Sequence, residues 1–327
     1  MKVLVTGGAG FIGSVVTEYL VARGHDVVVY DSLIYGHRDA VHPDARFVQG
    51  NLLDPHALKS LFAAGRFDAV AHLAAEAYID ESLRDPGRFY RVNVTGGINL
   101  LDAMVESGVH KLVFSSTAAV YGQPREVPIT EDAPHDPCNS YGDSKLAFEH
   151  ILAWYRPAHQ IDYICLRYFN ACGATERCGE FRKKETHLIP ICFEVALSRR
   201  PVLNLYGTDY DTLDGTCVRD YVHVEDIAAA HLLALENLDR VGARAYNLGN
   251  GEGYSNRQVI EAVGKVTCRP IPVVDSPRRP GDPARLVASS ARIREELGWQ
   301  PRHPELTDMV ETAWNWRQRH PQGYVQS

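Results

Sequence analysis

Tyr141 and Lys145 lie four residues apart in SYGDSK (140–145), and on a helix such a pair shares one face. A tyrosine hydroxyl ordinarily ionises near pH 10. A neighbouring ammonium favours the phenolate and draws that value toward working pH. The pair is suited to take a proton from an alcohol or sugar hydroxyl as hydride leaves the same carbon. Thr117 ends the apolar run VFSST (113–117), and its hydroxyl can hydrogen-bond the reacting oxygen. Each feature alone also describes an ordinary helix face or turn residue. What matters is whether a fold brings them together.

A second constellation binds rather than reacts. The run TGGAGFIG (6–13) contains G-x-G-x-x-G through Gly8, Gly10 and Gly13, and G-x-x-G-x-x-G through Gly7, Gly10 and Gly13. Glycines at that spacing make a tight turn and let backbone approach a pyrophosphate. The helix that follows offers N–H groups and its positive dipole end to the anion. Asp31 ends the next strand, where an acid can hold a ribose hydroxyl. That carboxylate would repel a 2′-phosphate, so NAD is favoured over NADP, with His37 and Arg38 nearby as the opposing signal.

The elements that must position these residues alternate along the first half. Apolar runs at 2–6, 26–30, 46–48, 69–73, 111–115 and 162–166 read as strands. Helical spacing falls at 11–23, 55–63, 85–105 and 141–155. Near-continuous apolar strands between helices predict an α/β fold of the Rossmann type, a doubly wound parallel sheet covered on both faces. After residue 172 the rhythm changes. Loop-rich stretches occupy 178–185 and 206–219, helices are expected at 224–238, 255–266 and 306–320, and 270–283 is rich in proline. The expected division is 1–171 as a dinucleotide-binding domain and 172–327 as a smaller α/β substrate domain, with segments packing back on the first.

Composition narrows the classes. The 327 residues are 45% hydrophobic and 23% charged, which suits a folded globular chain rather than a disordered one. A net charge of −7 argues against a nucleic-acid partner held by a basic face. The seven cysteines are odd in number and form no C-x-x-C, so neither a disulfide framework nor a metal site is expected, and a reducing cytoplasm is. No apolar run reaches the roughly 18 residues of a membrane span, and MKVLVTGG leads straight into a strand without a signal peptide.

TGGAGFIGS (6–14), Asp31, HLAAE (72–76), Asn93 in NVTGG, FSSTAAVYG (114–122), YGDSK (141–145) and RYFNACGA (167–174) resemble the extended short-chain dehydrogenase/reductase family over the whole chain. GTDYDTLDGTCVRDYVHVEDIAAAH (207–231), YNLGNGEGYSN (246–256), SPRRPGDP (276–283) and LGW (297–299) resemble its sugar-nucleotide 4-epimerase branch. The resemblance implies NAD as cofactor, UDP-glucose and UDP-galactose as the substrate pair, and a homodimer through the helices at 85–105 and 141–155. Tyr141 would be the base, Lys145 would lower its pKa and hold the nicotinamide ribose, and Thr117 would orient the sugar hydroxyl. Cofactor contacts would come from Gly7, Gly10, Phe11, Ile12, Gly13, Asp31, Ser32, Leu33, Gly36, Asn51, Leu52, Leu73, Ala74, Ala75, Ala77, Asn93 and Phe169. Substrate contacts would come from Asn170, His187, Leu188, Asn204, Leu205, Tyr206, Arg219, Arg279, Asp282 and Leu286. Arg219 and Arg279 would fork onto diphosphate oxygens, and Tyr206 would stack on uracil.

The chain departs from the family pattern at Asn51 (often an acid), at Thr186-His187 (Asn-Asn in some members) and at Ala77 (lysine in some members). Leu286 stands where a large residue restricts the site to hexoses and a small one admits N-acetylhexosamines. UDP-glucuronate and UDP-pentoses are further alternatives. A dehydratase would carry acids after the threonine, where this chain has Ala118 and Ala119. A silent NAD-binding protein would have no need of Thr117, Tyr141 and Lys145 together.

Overall fold

In the computed structural model, residues 1–279 and 281–324 are described; Pro280, inside the 276–283 run, lies outside the described residues. The elements of the first half are β1 (Lys2–Thr6), α1 (Phe11–Ala22), β2 (Asp26–Asp31), β3 (Arg46–Gln49), α2 (Pro55–Gly65), β4 (Ala69–His72), α3 (Gly96–Glu106), β5 (Lys111–Thr117), α4 (Ser140–His159) and β6 (Asp162–Tyr168). The second half adds β7 (Asn170–Cys172), α5 (Leu188–Ala196), β8 (Leu203–Tyr206), β9 (Val218–Arg219), β10 (Tyr221–His223) and α6 (Val224–Val241). It continues with β11 (Arg244–Leu248), β12 (Tyr254–Ser255), α7 (Asn256–Thr267), β13 (Val273–Ser276), β14 (Arg285–Leu286), α8 (Ala291–Leu297) and α9 (Leu306–Arg319).

Seven strands form one sheet in the order β11-β6-β5-β4-β1-β2-β3, every pair parallel. Alternate residues of each strand face opposite layers. Val3, Val5, Val27 and Val29 pack with Val15, Val16 and Leu20 of α1. Leu4, Val28, Val70 and Phe114 pack with Leu58 and Phe62 of α2, Leu100 and Met104 of α3, and Phe148 and Leu152 of α4. Burial on both faces explains why the strands read as unbroken apolar runs. Strand order reverses at β1, with β2 and β3 on one side and β4 on the other, which opens a ligand crevice at the carboxyl ends.

Residues beyond 172 complete this layer. β11 pairs with β6. Ile227, Ala230 and Leu235 of α6 share a core with Val15 and Val16 of α1. A separate core joins Ile189, Cys192 and Phe193 of α5, Val259 and Val263 of α7, and Met309, Val310 and Trp314 of α9. Small pairings of β7 with β10, β8 with β13, and β9 with β12 and β14 line its edge.

The helix expected over 85–105 is segmented. Asp85 caps a turn at Pro86–Phe89 by accepting from the Arg88 N–H at 3.2 Å, and a π-helical turn at Tyr90–Thr95 leads into α3. Two of the nine helices α1–α9 were not anticipated. In α5, Pro190 masks the pattern, yet it falls in the first turn, where its missing N–H costs nothing; α8 is only seven residues long. Among the described residues no helix is long and apolar enough to cross a membrane.

Candidate active site

The glycine turn sits at the end of β1. A Cβ on Gly7, which has φ +75°, would meet the Ala74 N at 2.5 Å, and one on Gly13 would meet the Gly7 O at 2.1 Å. Those two glycines are demanded by the protein's own packing. Gly10 differs, because the nearest atom to its missing Cβ is the Gly7 O at 3.3 Å. Its bare backbone leaves a notch at the start of α1, whose first turn no side chain caps. Phe11 and Ile12 therefore present N–H groups at an open helix N-terminus, which fits a pyrophosphate.

Asp31 is buried, and its carboxylate accepts from the Ala9 N–H at 3.0 Å and the Leu33 N–H at 2.8 Å. Burial raises its pKa and those two donors oppose the rise. Gly36 packs against it: a Cβ there would come within 2.9 Å of Asp31 Oδ1. Ser32 accepts from the Ile34 N–H at 3.4 Å. His37 turns its ring nitrogen to the Phe181 carbonyl at 3.1 Å, and the Arg38 guanidinium lies 4.6 Å over the Phe47 ring. Both side chains thus have other partners, which strengthens the preference for a 2′-hydroxyl over a 2′-phosphate at Asp31. Past β3, Asn51 closes its own turn by accepting from the Leu53 N–H at 2.9 Å, while Leu52 is buried in the core beside Gly96.

Beyond β4, the Leu73 N–H bonds the Thr6 O at 3.0 Å, and Ala74 lies against Gly7. Ala75 is half-buried and Ala77 exposed. Asn93, inside the π turn, accepts from the Glu76 N–H at 2.8 Å and donates to the Glu76 O at 3.1 Å and to Ser144 Oγ at 2.9 Å. Its amide is a brace between this loop and α4.

The expected reacting groups meet where β5 ends. Asn139 caps α4 by accepting from the Gly142 N–H at 2.8 Å, which sets the rotation of Tyr141 and Lys145. Burial pushes the Tyr141 phenol above its ordinary value, while a hydrogen bond with Thr117 and the charge of Arg182 pull it back. Lys145 is turned elsewhere. Its Nζ donates to the Ser115 O at 2.8 Å and stands 4.8 Å from the centre of the Phe114 ring. Burial brings that ammonium down to about 7, opposed by Glu149. In this geometry the Lys145 ammonium hydrogen-bonds Ser115, and the charge that lowers the phenol's pKa is that of Arg182. Phe169 and Leu286 pack with Ala118 and Leu146 in a cluster at this end of the sheet.

The other expected residues gather toward the second core. Asn170 donates its backbone N–H and its side-chain amide to the Asp220 carbonyl at 3.1 and 2.8 Å. Arg219 donates to the carbonyls of Val218 and Pro283 at 3.0 and 2.8 Å and lies 3.7 Å from Asp282. Leu286 is in register with Arg219. The Arg279 guanidinium covers the Tyr206 ring at 4.1 Å, beside a cavity of about 390 Å³ that Arg278, Arg279, Tyr210 and Asp282 help to line. Asn204 is exposed on β8, while the Leu205 side chain is buried and offers a ligand only its backbone. Leu188 opens α5, and His187 Nδ1 lies 2.7 Å from Glu180 Oε1, which also accepts from Arg182 Nε at 2.8 Å. Burial would raise the Glu180 carboxyl, but His187 and Arg182 outweigh it and hold it at about 2.

The sequence model described as the NAD dependent epimerase/dehydratase family matches residues 3–249. The chain belongs to that family. It is 48% identical over 327 residues to a UDP-glucose 4-epimerase of Lacticaseibacillus casei, covering 99% of each chain. Its fold superposes on a crystal structure of a UDP-glucose 4-epimerase with a TM-score of 0.97 at 46% identity, covering 99% of this chain and 100% of the other. A Bifidobacterium longum UDP-glucose 4-epimerase in complex with NAD+ and UDP matches with a TM-score of 0.95 at 37% identity, covering 99% and 100%.

Within this epimerase/dehydratase frame, several residues at the site were not anticipated. Glu149 is four residues past Lys145, so it continues the Tyr141–Lys145 stripe, and that spacing was a readable signal. It binds Arg167 of β6 and Ser116 of β5. Arg182 sits in the irregular 178–185 stretch, where no periodicity points to it.

Proposed function

We propose that the chain is a UDP-glucose 4-epimerase, interconverting UDP-galactose and UDP-glucose through a 4-keto sugar while NAD stays bound. The observation that carries this is the placement of the uncapped glycine turn at the end of β1 and the Thr117–Tyr141 pair at the end of β5, two strands away in one sheet. Gly10, Phe11, Ile12 and Asp31 would hold the dinucleotide, which supplies reversible hydride acceptance. Tyr141 takes the proton from the sugar 4-hydroxyl and returns it to the opposite face after the sugar turns. Thr117 positions that oxygen and supports the phenolate. Arg182 stabilises the phenolate that Tyr141 presents before it takes the proton and regenerates when it returns it. Arg219 and Arg279 bind the diphosphate, and Tyr206 serves the base.

Incubating the purified chain with UDP-galactose and no added NAD is expected to yield UDP-glucose, read by chromatography. An elimination product, or no turnover even with NAD supplied, overturns the reading. Ala118 and Ala119 hold no acid for elimination chemistry. Leu286 is intermediate in size, so UDP-N-acetylglucosamine is expected to turn over more slowly than the hexose, on the order of tenfold or more. No turnover of it at all removes the N-acetyl part of the proposal.

We further infer a homodimer through α3 and α4. Trp154 is 77% exposed on α4, eleven residues from Asp143, which bonds Tyr90, so both lie on one helix face. Leu83, beside Tyr90 and Asp143, adds exposed apolar surface. Light scattering is expected to give twice the chain mass; a monomer at micromolar concentration defeats this. Seven unpaired cysteines favour a reducing cytoplasm, and the proposed reaction would serve galactose metabolism.

A further inference from the structure

β1 stands between β2 and β4, and their register is level at the carboxyl end: Thr6 is opposite Tyr30 on one side and His72 on the other. The loops leaving β2 and β4 therefore flank the glycine turn. Any contact between them has to cross the turn's mouth. One such contact exists. The Tyr35 hydroxyl, five residues past Tyr30, donates to Glu76 Oε2 at 3.1 Å. The Tyr35 ring also meets the Tyr78 ring edge-on, with centroids 5.4 Å apart.

The Glu76 end of this contact is anchored. Its carboxylate is buried and lies 3.4 Å from Arg88, and its backbone is held on both sides by Asn93. Tyr78 is backed by the Arg182 guanidinium at 5.3 Å from its ring centre. The Tyr35 end is different: the ring is 40% exposed and sits on a loop tied to the turn by the His37 N–H to the Ala9 O at 2.8 Å. A fixed acceptor on one bank and an accessible donor on the other make a fastening that opens by one side-chain rotation.

We propose that Tyr35 and Glu76 form a clasp across the dinucleotide groove, so that NAD leaves only when their hydrogen bond breaks. The proposal rests on assigning the glycine turn to NAD. Arg88 is shared between Glu76 and Glu81, and Lys184 lies 3.7 Å from Glu81, so two cations offset the two carboxylates at this end of the clasp. Epimerisation leaves the cofactor unchanged, so slow release favours continuous turnover, and the clasp supplies that slowness outside the reacting centre.

The test measures cofactor residence rather than activity. Wild type, Tyr35→Phe and Glu76→Ala are purified, their NAD content is determined after acid release, and exchange is followed with excess radiolabelled NAD. Tyr35→Phe keeps the ring against Tyr78 and sits at the surface, so it stays informative even where Glu76→Ala folds poorly. Loss of one hydrogen bond to a charged acceptor is expected to speed exchange about tenfold. NAD-loaded wild type and Tyr35→Phe with equal exchange rates overturn the clasp alone. Wild type without any NAD, and with none taken up on incubation, overturns the site assignment and the clasp with it.

Discussion

Tyr141→Phe is expected to lower turnover by about 10²–10⁴-fold, the range that removal of a positioned acid–base group produces. The substitution deletes one oxygen and keeps the ring. Because the side chain is half-buried at the end of β5, the phenyl group fills the same space, and the Asn139 cap that orients α4 is untouched. Folding and substrate affinity should change little, so the effect belongs in kcat rather than KM. A coupled assay for UDP-glucose measures it, and near-normal turnover would end the assignment of Tyr141 as base. The pH profile carries a second signature. A base works when deprotonated, so activity rises with pH through its pKa. Burial raises that pKa and the Arg182 charge lowers it. Arg182→Gln removes the lowering influence, so the rising limb is expected to move to higher pH. An unmoved limb would show that Arg182 does not act on the phenol.

Glu149→Ala is expected to cost about 3–5 kcal/mol of stability, the size seen when one partner of a buried ion pair is removed. Arg167 donates to both carboxylate oxygens of Glu149, at 3.0 and 2.5 Å, and the two side chains are 4% and 8% exposed. Without Glu149, the guanidinium keeps the Tyr121 hydroxyl at 2.8 Å but has lost its counter-charge. The midpoint of urea unfolding reads the loss. Replacing both partners by apolar residues, Glu149→Leu with Arg167→Met, is expected to recover a large share of it. The consequence reaches the site as well. Glu149 helps keep Lys145 charged against the burial that brings it to about 7. Its removal drops that value further, so more of the lysine is neutral at pH 7 and the cation that would hold a ribose is lost. A Glu149→Ala chain as stable as the parent contradicts this account.

Much of the site was readable because its signals are local. The glycine turn, Asp31 and the Tyr141–Lys145 spacing each occupy a single strand–turn or helix segment, so periodicity and residue type sufficed. The order of the sheet was not readable. β11 lies beside β6, and its five residues, RAYNL, say nothing about which edge they join. Asn93 shows a subtler limit. The resemblance named it as a cofactor contact, and nothing local announced that its amide bonds Glu76 and Ser144, tying the loop after β4 to α4. Leu205 was named within a contact run, yet strand alternation sends it into the core. The role of Arg182 depends on a loop folding back beneath Tyr78, a tertiary event with no local trace.

The return of β11 and α6 to the first layer bears on how the molecule is made. A nascent chain that has reached only residue 171 lacks the strand that covers the edge of β6. It also lacks the helix that buries Val15 and Val16 of α1 from outside. An open edge beside a bare apolar face is the kind of surface that pairs with other chains. The amino-terminal half is therefore expected not to fold as an independent unit. Its sheet is complete only once residue 248 has emerged, so the two halves of the chain are expected to acquire stability in one late, shared step.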